Sequence, residues 1–282
     1  MWLLLTTPGW GLSFPVVKAI ALLQAQAVPG ASSWFYAANS LAARFAGASL
    51  LVLILCGRQL KFFTGSEARQ GAVLGILAGG GMLLQYDGLS YTSASVSAFL
   101  TQFYVVLIPL FLALWERRAP SPRLLMAVAL VVMGVALLAD VGLRDLRLGR
   151  GEAETLLSTV FFAAQILYLQ KPEFRDHNAL RVTLAMFATI AVVMAIIAIY
   201  HAPQTRDLLT AMQTLPVLQL LAFLIVASTV LPFVIMNAWQ KHVGASEASL
   251  IYSTEPVVTG LAVLALPGWM SAMWGIEYSN ES

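Results

Sequence analysis

Apolar stretches about twenty residues long follow one another along this chain, separated by short breaks of Gly, Pro or charged residues. A bilayer core of about 30 Å asks that length of a helix that crosses it. The pattern predicts helices near residues 3–27, 34–57, 68–88, 92–115, 122–140, 153–171, 180–200, 215–239 and 244–267. That is nine spans, with no room for a soluble domain between them.

Composition agrees: 59% of the 282 residues are hydrophobic and 11% are charged, against about 25% charged in an ordinary soluble domain. The net charge of +2 does not describe a nucleic-acid surface. The single cysteine, Cys56, excludes an intrachain disulfide and a Cys-rich metal site. His177, His201 and His242 are far apart, fall in expected loops and lack the spacing of a helical metal pair. The opening MWLLLTTPGWG has no basic n-region and Lys18 interrupts the apolar run, so the first helix is expected to stay in the mature protein.

Lys and Arg fix an expected orientation, because short cytoplasmic loops retain them. The loops after spans two, four, six and eight hold Arg58, Lys61, Arg69, Arg117, Arg118, Arg123, Lys171, Arg175, Arg181 and Lys241. The other side holds Arg144, Arg147, Arg150 and Arg206, ten against four. The N-terminus is expected to be cytoplasmic.

Sliding the chain against itself sets SASVSAFLTQFYVV from Ser93 beside GASEASLIYSTEPV from Gly244, an offset of 151 residues. The same offset sets Trp10-Gly11 against Phe161-Phe162, and the stretch from Met82 against that from Phe233. The unit is five spans, an odd number, so the second copy enters the membrane from the opposite side. Such inverted repeats characterise secondary transporters, with substrate near the midplane between the halves. The repeats are expected at residues 1–140 and 152–282, the second with four spans. The fifth is expected to be missing, because the partner of 122–140 would fall at 273–291, and MWGIEYSNES is short and polar. This reads as a truncated product or fragment. The closing Asn280-Glu281-Ser282 fits a glycosylation sequon, a weak signal here.

Together these features resemble the drug/metabolite transporter superfamily, and within it the ten-helix EamA-type permeases. The residues that carry the resemblance are WGLSFPVVK (10–18), Arg44 in span two, TSASVSAFL (92–100), WERR (115–118) and GASEAS…TEPV (244–257). Leu266-Pro267-Gly268-Trp269 departs from the glycine-glutamate turn usual in that family. The resemblance implies an all-α polytopic bundle and a multi-pass plasma-membrane permease, in bacteria an inner-membrane one. It also implies an exporter of small metabolites such as amino acids, with a central cavity lined by both halves. Its partners are then a small-molecule substrate and the lipid bilayer, with no nucleic acid; a homodimer is compatible with it.

Glu255 is an acid in the middle of an apolar span, with Pro256 behind it. Such an acid costs roughly 2.5–3.5 kcal/mol on insertion, so it is expected to face the interior as a substrate contact and candidate proton carrier; the bland reading is a protonated packing residue beside a kink. Pro256 has no N–H, which leaves the carbonyl of Tyr252 without its helical donor. Lys18 lies well inside span one and needs a counter-charge, water or a route to the surface; Glu255 is the chemically suitable partner, and a substrate contact stands equal with snorkelling to the interface or a structural pair. Arg44 is read as structural, because span two lies outside the cavity in the implied architecture. Gln85, Gln102, Gln165 and Asn237 are amides that suit either a polar substrate or interhelical hydrogen bonds. Tyr104 is the repeat mate of Glu255, across the cavity. Trp10, Phe14, Tyr86 and Tyr168 form a candidate aromatic wall, or act as interface anchors. Gly71, Gly75 and Gly79 recur every four residues and read as a helix-packing face, not a phosphate loop; Ser93, Ser97 and Thr101 read the same way.

No catalytic, metal or cofactor motif is found, and no ATP-binding motif. A secondary transporter working by alternating access is therefore the leading function. The alternatives are a non-transporting receptor or assembly subunit, which counterflow would separate, and a membrane-embedded lipid enzyme, which would need a His-rich, HExxH or Ser/His cluster.

Overall fold

The structure, a computed structural model, describes residues 2–117, 119, 121–138 and 149–278. Arg118, Arg144 and Arg147 of the orientation argument, the last two residues of the expected span 122–140, and the Asn280-Glu281-Ser282 sequon lie outside them. All regular structure among the described residues is helical. In chain order the helices are α1 (Thr7–Ala27), α2 (Ser33–Cys56), α3 (Gly65–Gly88), α4 (Ala94–Thr101), α5 (Tyr104–Glu116), α6 (Pro122–Leu138) and α7 (Arg150–Leu169). There follow α8 (Ala179–His201), the single turn α9 (Asp207–Thr210), α10 (Leu215–Ile225), α11 (Leu231–Trp239), α12 (Ala245–Tyr252), α13 (Glu255–Val263) and α14 (Leu266–Trp274). A π-helical segment, Val226–Val230, joins α10 to α11.

Among the described residues, five stretches are long and apolar enough to cross a membrane, namely Trp2–Ala27, Ser33–Phe62, Ala94–Trp115, Ala179–His201 and Leu215–His242; α12–α13 with α14 make a sixth if that pair, bent by 47°, counts as one span. The remaining expected spans, on α3, α6 and α7, are helices that fall outside this measure for physical reasons. The described part of α6 is only 17 residues long. Helices α3 and α7 pack against each other, and α3 is also covered by α8 and α2, so neither needs a lipophilic surface all round.

Glycine is what lets α3 sit there. A Cβ built on Gly71 would stand 2.6 Å from the Val182 carbonyl oxygen, and one on Gly75 would stand 2.7 Å from that of Met186, both on α8. On the neighbouring face, Gly80 and Gly81 leave room for the rings of Phe161 and Phe162 from α7. Without a hydrophobic drive between helices in lipid, such close approach supplies the packing energy.

Both ends of α3 are tied to the second half of the chain. At its start, Thr64 and Glu67 form a reciprocal capping box, and Glu67 also accepts from Arg181 at 2.7 Å and from the Asn178 N–H at 2.9 Å. At its end, Arg150 of α7 pairs with the buried Asp87 at 2.5 Å and with Glu154 at 2.8 Å. It also donates to the Tyr91 hydroxyl at 2.7 Å. There the backbones of Gly88 and Gly151 nearly touch: a Cβ on either would meet the other's carbonyl oxygen within 2.8 Å.

The fourth expected span is divided into α4 and α5 by the turn Gln102-Phe103, and the ninth into α12 and α13 by Ser253-Thr254. These breaks correspond: α4 and α12 begin and end 151 residues apart, α5 and α13 begin 151 apart, and α3 and α11 end 151 apart. Pro256 fits the first turn of α13, where an N–H has no partner to lose.

Candidate functional site

One cavity of about 80 Å³ opens among α1, α2, α3, the α4–α5 and α12–α13 turns, α7 and α11. At about 15 Å³ per water it holds roughly five, or one small organic molecule. Its wall carries Trp10, Gln85, Tyr86, Tyr104, Gln165 and Glu255, six of the residues singled out from the sequence.

Glu255 is 6% exposed and stands in the first turn of α13. Helix α1 holds it in place: Gly11 allows α1 to lie against the Glu255 carbonyl, and Thr259 donates to the Gly11 carbonyl at 2.9 Å. The Glu255 carboxylate accepts a long bond from Gln102 Nε2 at 3.4 Å, and it joins none of the ion pairs among the described residues. Gln102 therefore sits behind the acid rather than in the wall. Gln85 donates to the Thr101 hydroxyl at 2.8 Å, tying α3 to the end of α4. Gln165 reaches only the thioether of Met236, at 3.9 Å.

Besides Gln102, four expected site residues are placed elsewhere. Lys18 donates to the Thr92 carbonyl at 2.8 Å and does not pair with Glu255. Asn237 donates to the Thr183 hydroxyl at 2.9 Å, which fastens α11 to α8. Phe14 is buried in the core away from the cavity wall. Tyr168 lies at the end of α7 against Phe174 and the Lys171 ammonium. Lys18, Asn237 and Tyr168 find their partners in protein groups, which a single apolar-looking helix sequence does not reveal.

Arg44 is the reverse case. The expectation places it outside the cavity, yet it lines the wall. Its Nε donates to Thr229 Oγ1, one terminal nitrogen to the Tyr86 hydroxyl and the other to the Ser228 carbonyl at 2.8 Å. Thr229 and Ser228 belong to the π segment. A π turn displaces carbonyls from the helical ladder, and one of these receives the guanidinium.

The other wall residues are Ser13, Met82, Thr101, Phe162, Ile166, Phe233, Met236 and Tyr252. Trp10 stands edge-on to Tyr252 at 5.2 Å between ring centroids and tilted against Phe233 at 5.5 Å. A signal for several of them lay in the sequence. Met82 and Phe233, Gln85 and Met236, Thr101 and Tyr252, and Tyr104 and Glu255 are four wall pairs separated by 151 residues. Applying the offset to Gln85 would have named Met236.

The arrangement offers a polar ligand one acid, one cation, amides and hydroxyls within an aromatic and thioether wall. Comparisons with known proteins agree with a carrier. The chain is 26% identical over 259 residues to an uncharacterized transporter of Archaeoglobus fulgidus, covering 91% of this chain and 74% of that protein. A protein of solved crystal structure, 14% identical, superposes with a TM-score of 0.56 over 90% of this chain and 86% of its own, a likeness of fold alone. The EamA-like transporter family matches twice, over residues 1–139 and 150–271. The chain accordingly belongs to the EamA-like transporter family: it is a multi-pass membrane transporter, with a small-molecule substrate and a lipid environment.

Proposed function

We propose that this transporter exports small metabolites such as amino acids by alternating access around the cavity just described. It does so as two oppositely inserted repeats, residues 1–140 and from 152 onward, in a plasma membrane, the inner one in bacteria, with the N-terminus cytoplasmic. The observation that carries the reading is the set of four wall pairs at one spacing. A cavity between repeats related by a twofold axis in the membrane plane draws equivalent positions from each half. The two matched turns, Gln102-Phe103 and Ser253-Thr254, support it as well, since discontinuous helices at the midplane frame transporter sites. The glycine-lined junction of Gly88 with Gly151 and the Arg150 cluster bring the two halves together at one end of α3, as a gate between rocking halves would require.

Glu255 is the proton-coupling group in this reading. It is the one acid in the wall, it lacks a cation partner among the described residues, and an intramembrane acid of that kind is a functional site by default. The test is counterflow of labelled amino acids in proteoliposomes at several pH values. Wild-type protein should exchange substrate with a pH-dependent rate, and Glu255→Gln should exchange more weakly and without that dependence. No counterflow for any amino acid would overturn the substrate class; pH dependence that survives the substitution would overturn the proton role.

A further inference from the structure

Arg44 is a cation held in a buried place without a counter-ion. It is 3% exposed, and none of the ion pairs among the described residues includes it. Its three bonded nitrogens point to a threonine hydroxyl, a tyrosine hydroxyl and a backbone carbonyl. All three partners are neutral, so they fix the guanidinium's position and leave its charge unbalanced. Thr229 spends its own proton on the Leu224 carbonyl at 2.7 Å, which turns its lone pairs toward Arg44. A guanidinium has five N–H groups. With one used on each nitrogen, each terminal nitrogen keeps one, the number a carboxylate takes in a bidentate pair.

The same cavity contains Glu255, which likewise joins no ion pair among the described residues. The two charges face one space and do not meet. Charge that is unpaired at low dielectric is costly, and a ligand carrying both signs would complete both partners at once. A phosphate monoester, with close to two negative charges, would meet one cation and an acid and suits the cavity poorly. The same wall carries the apolar and aromatic side chains of Trp10, Phe233, Tyr252, Met82 and Met236.

We propose that Arg44 is the anion anchor of the cavity, taking the carboxylate of a small zwitterionic substrate whose ammonium group faces Glu255 and whose apolar body lies against Trp10, Phe233 and Tyr252. The inference deepens the transport reading, on which it rests for the cavity being the substrate site. It also accounts for the π segment, since Val226–Val230 supplies two of the groups that aim the anchor.

The test is calorimetric titration of the full chain in detergent with L-leucine and L-phenylalanine, each beside its amide, its decarboxylated amine and its deaminated acid. Wild-type protein should bind a zwitterion, with the amide weaker by about a hundredfold or more, as expected for removing one partner of a buried charge pair. Arg44→Gln should weaken the zwitterion to the level of the amide and leave the amide unchanged. Arg44→Lys should keep part of the preference, because the charge remains and the fork is lost. Glu255→Gln should weaken zwitterion and amine and spare the deaminated acid. The ligand series on the unaltered protein does not depend on any variant folding. Equal affinity for zwitterion and amide, or no binding by any carboxylate-bearing member of the series, overturns the proposal. Arg44-dependent binding without counterflow in proteoliposomes would keep the anchor and remove the transport reading. Counterflow of ligands that lack a carboxylate would keep transport and remove the anchor.

Discussion

Replacing Gly11 with alanine tests whether the fit of α1 on α13 controls the acid in the cavity. A Cβ at Gly11 would stand 2.8 Å from the Glu255 carbonyl oxygen and 2.7 Å from Val258 Cβ, where ordinary contact begins at 3.4 Å. Neither a backbone oxygen nor a Cβ can swing aside as a side-chain tip does, so the two helices must part by about 0.7 Å. Overpacking of this kind costs about 1–3 kcal/mol. Alanine recovers about 0.5–1 kcal/mol by its better helix propensity, which leaves Gly11→Ala destabilised by about 0.5–2 kcal/mol. Helix α13 provides its own control. Gly260 has no atom within 4 Å of a built Cβ, so Gly260→Ala should be stabilised by about 0.5–1 kcal/mol. Thermal unfolding in detergent, followed by size-exclusion recovery, should show shifts of opposite sign for the two variants. Function should split in the same way. Parting the seam displaces the first turn of α13 and with it Glu255, and since a misplacement of about 1 Å can cost about a hundredfold in a positioned site, counterflow in Gly11→Ala should fall about tenfold or more. Gly260→Ala should transport as wild type does. A Gly11→Ala protein that melts at or above the wild-type temperature and transports normally would refute the reasoning.

Two further outcomes follow from the packing of α3. Gly71→Ala should lower thermal stability by about 0.5–2 kcal/mol net of its helix propensity, because its Cβ meets backbone of α8, whereas Gly79→Ala should be nearly neutral, since its nearest neighbour is the flexible tip of Met194 at 3.2 Å; unfolding in detergent compares them, and equal melting temperatures would contradict the geometry. Arg150→Gln should cost about 1–3 kcal/mol, by leaving the fully buried Asp87 carboxylate without its donor. Because Asp87 is fully buried, this loss should shrink only slightly in high salt even though Arg150 is partly exposed, a point checked by repeating the melt in about 1 M salt.

The reach of the sequence can be followed residue by residue. Spans are legible because a bilayer demands long apolar runs, but the break before Glu255 is not, since Pro15 lies inside the unbroken α1 and the matching break at Gln102-Phe103 has no proline. Helices α3 and α7 stand outside the hydropathy measure because the surface around α3 is protein, and its glycines mark that only when read as a packing face. What stays hidden is rotation. Along a helix apolar on every side, nothing tells that Gln85 turns into the cavity and Asn237 turns toward Thr183. Arg44 was hidden for another reason, since its partners come from a π turn far along the chain, and a one-residue change in helical ladder leaves no mark in composition. The repeat offset recovers part of what rotation hides, because it ties one wall position to another whatever the hydropathy. It also shows what the repeats do not share. Met82 faces Phe233 as its mate, Gln85 has Met236, Thr101 has Tyr252 and Tyr104 has Glu255. Position is paired while chemistry is not, and Arg44 has Ala195 at the corresponding place. A cavity symmetric in chemistry would favour a ligand with two like ends. Under the proposed twofold, only the divergence of mates lets the cavity tell a carboxylate from an ammonium group, so selectivity must reside in the positions where the repeats differ.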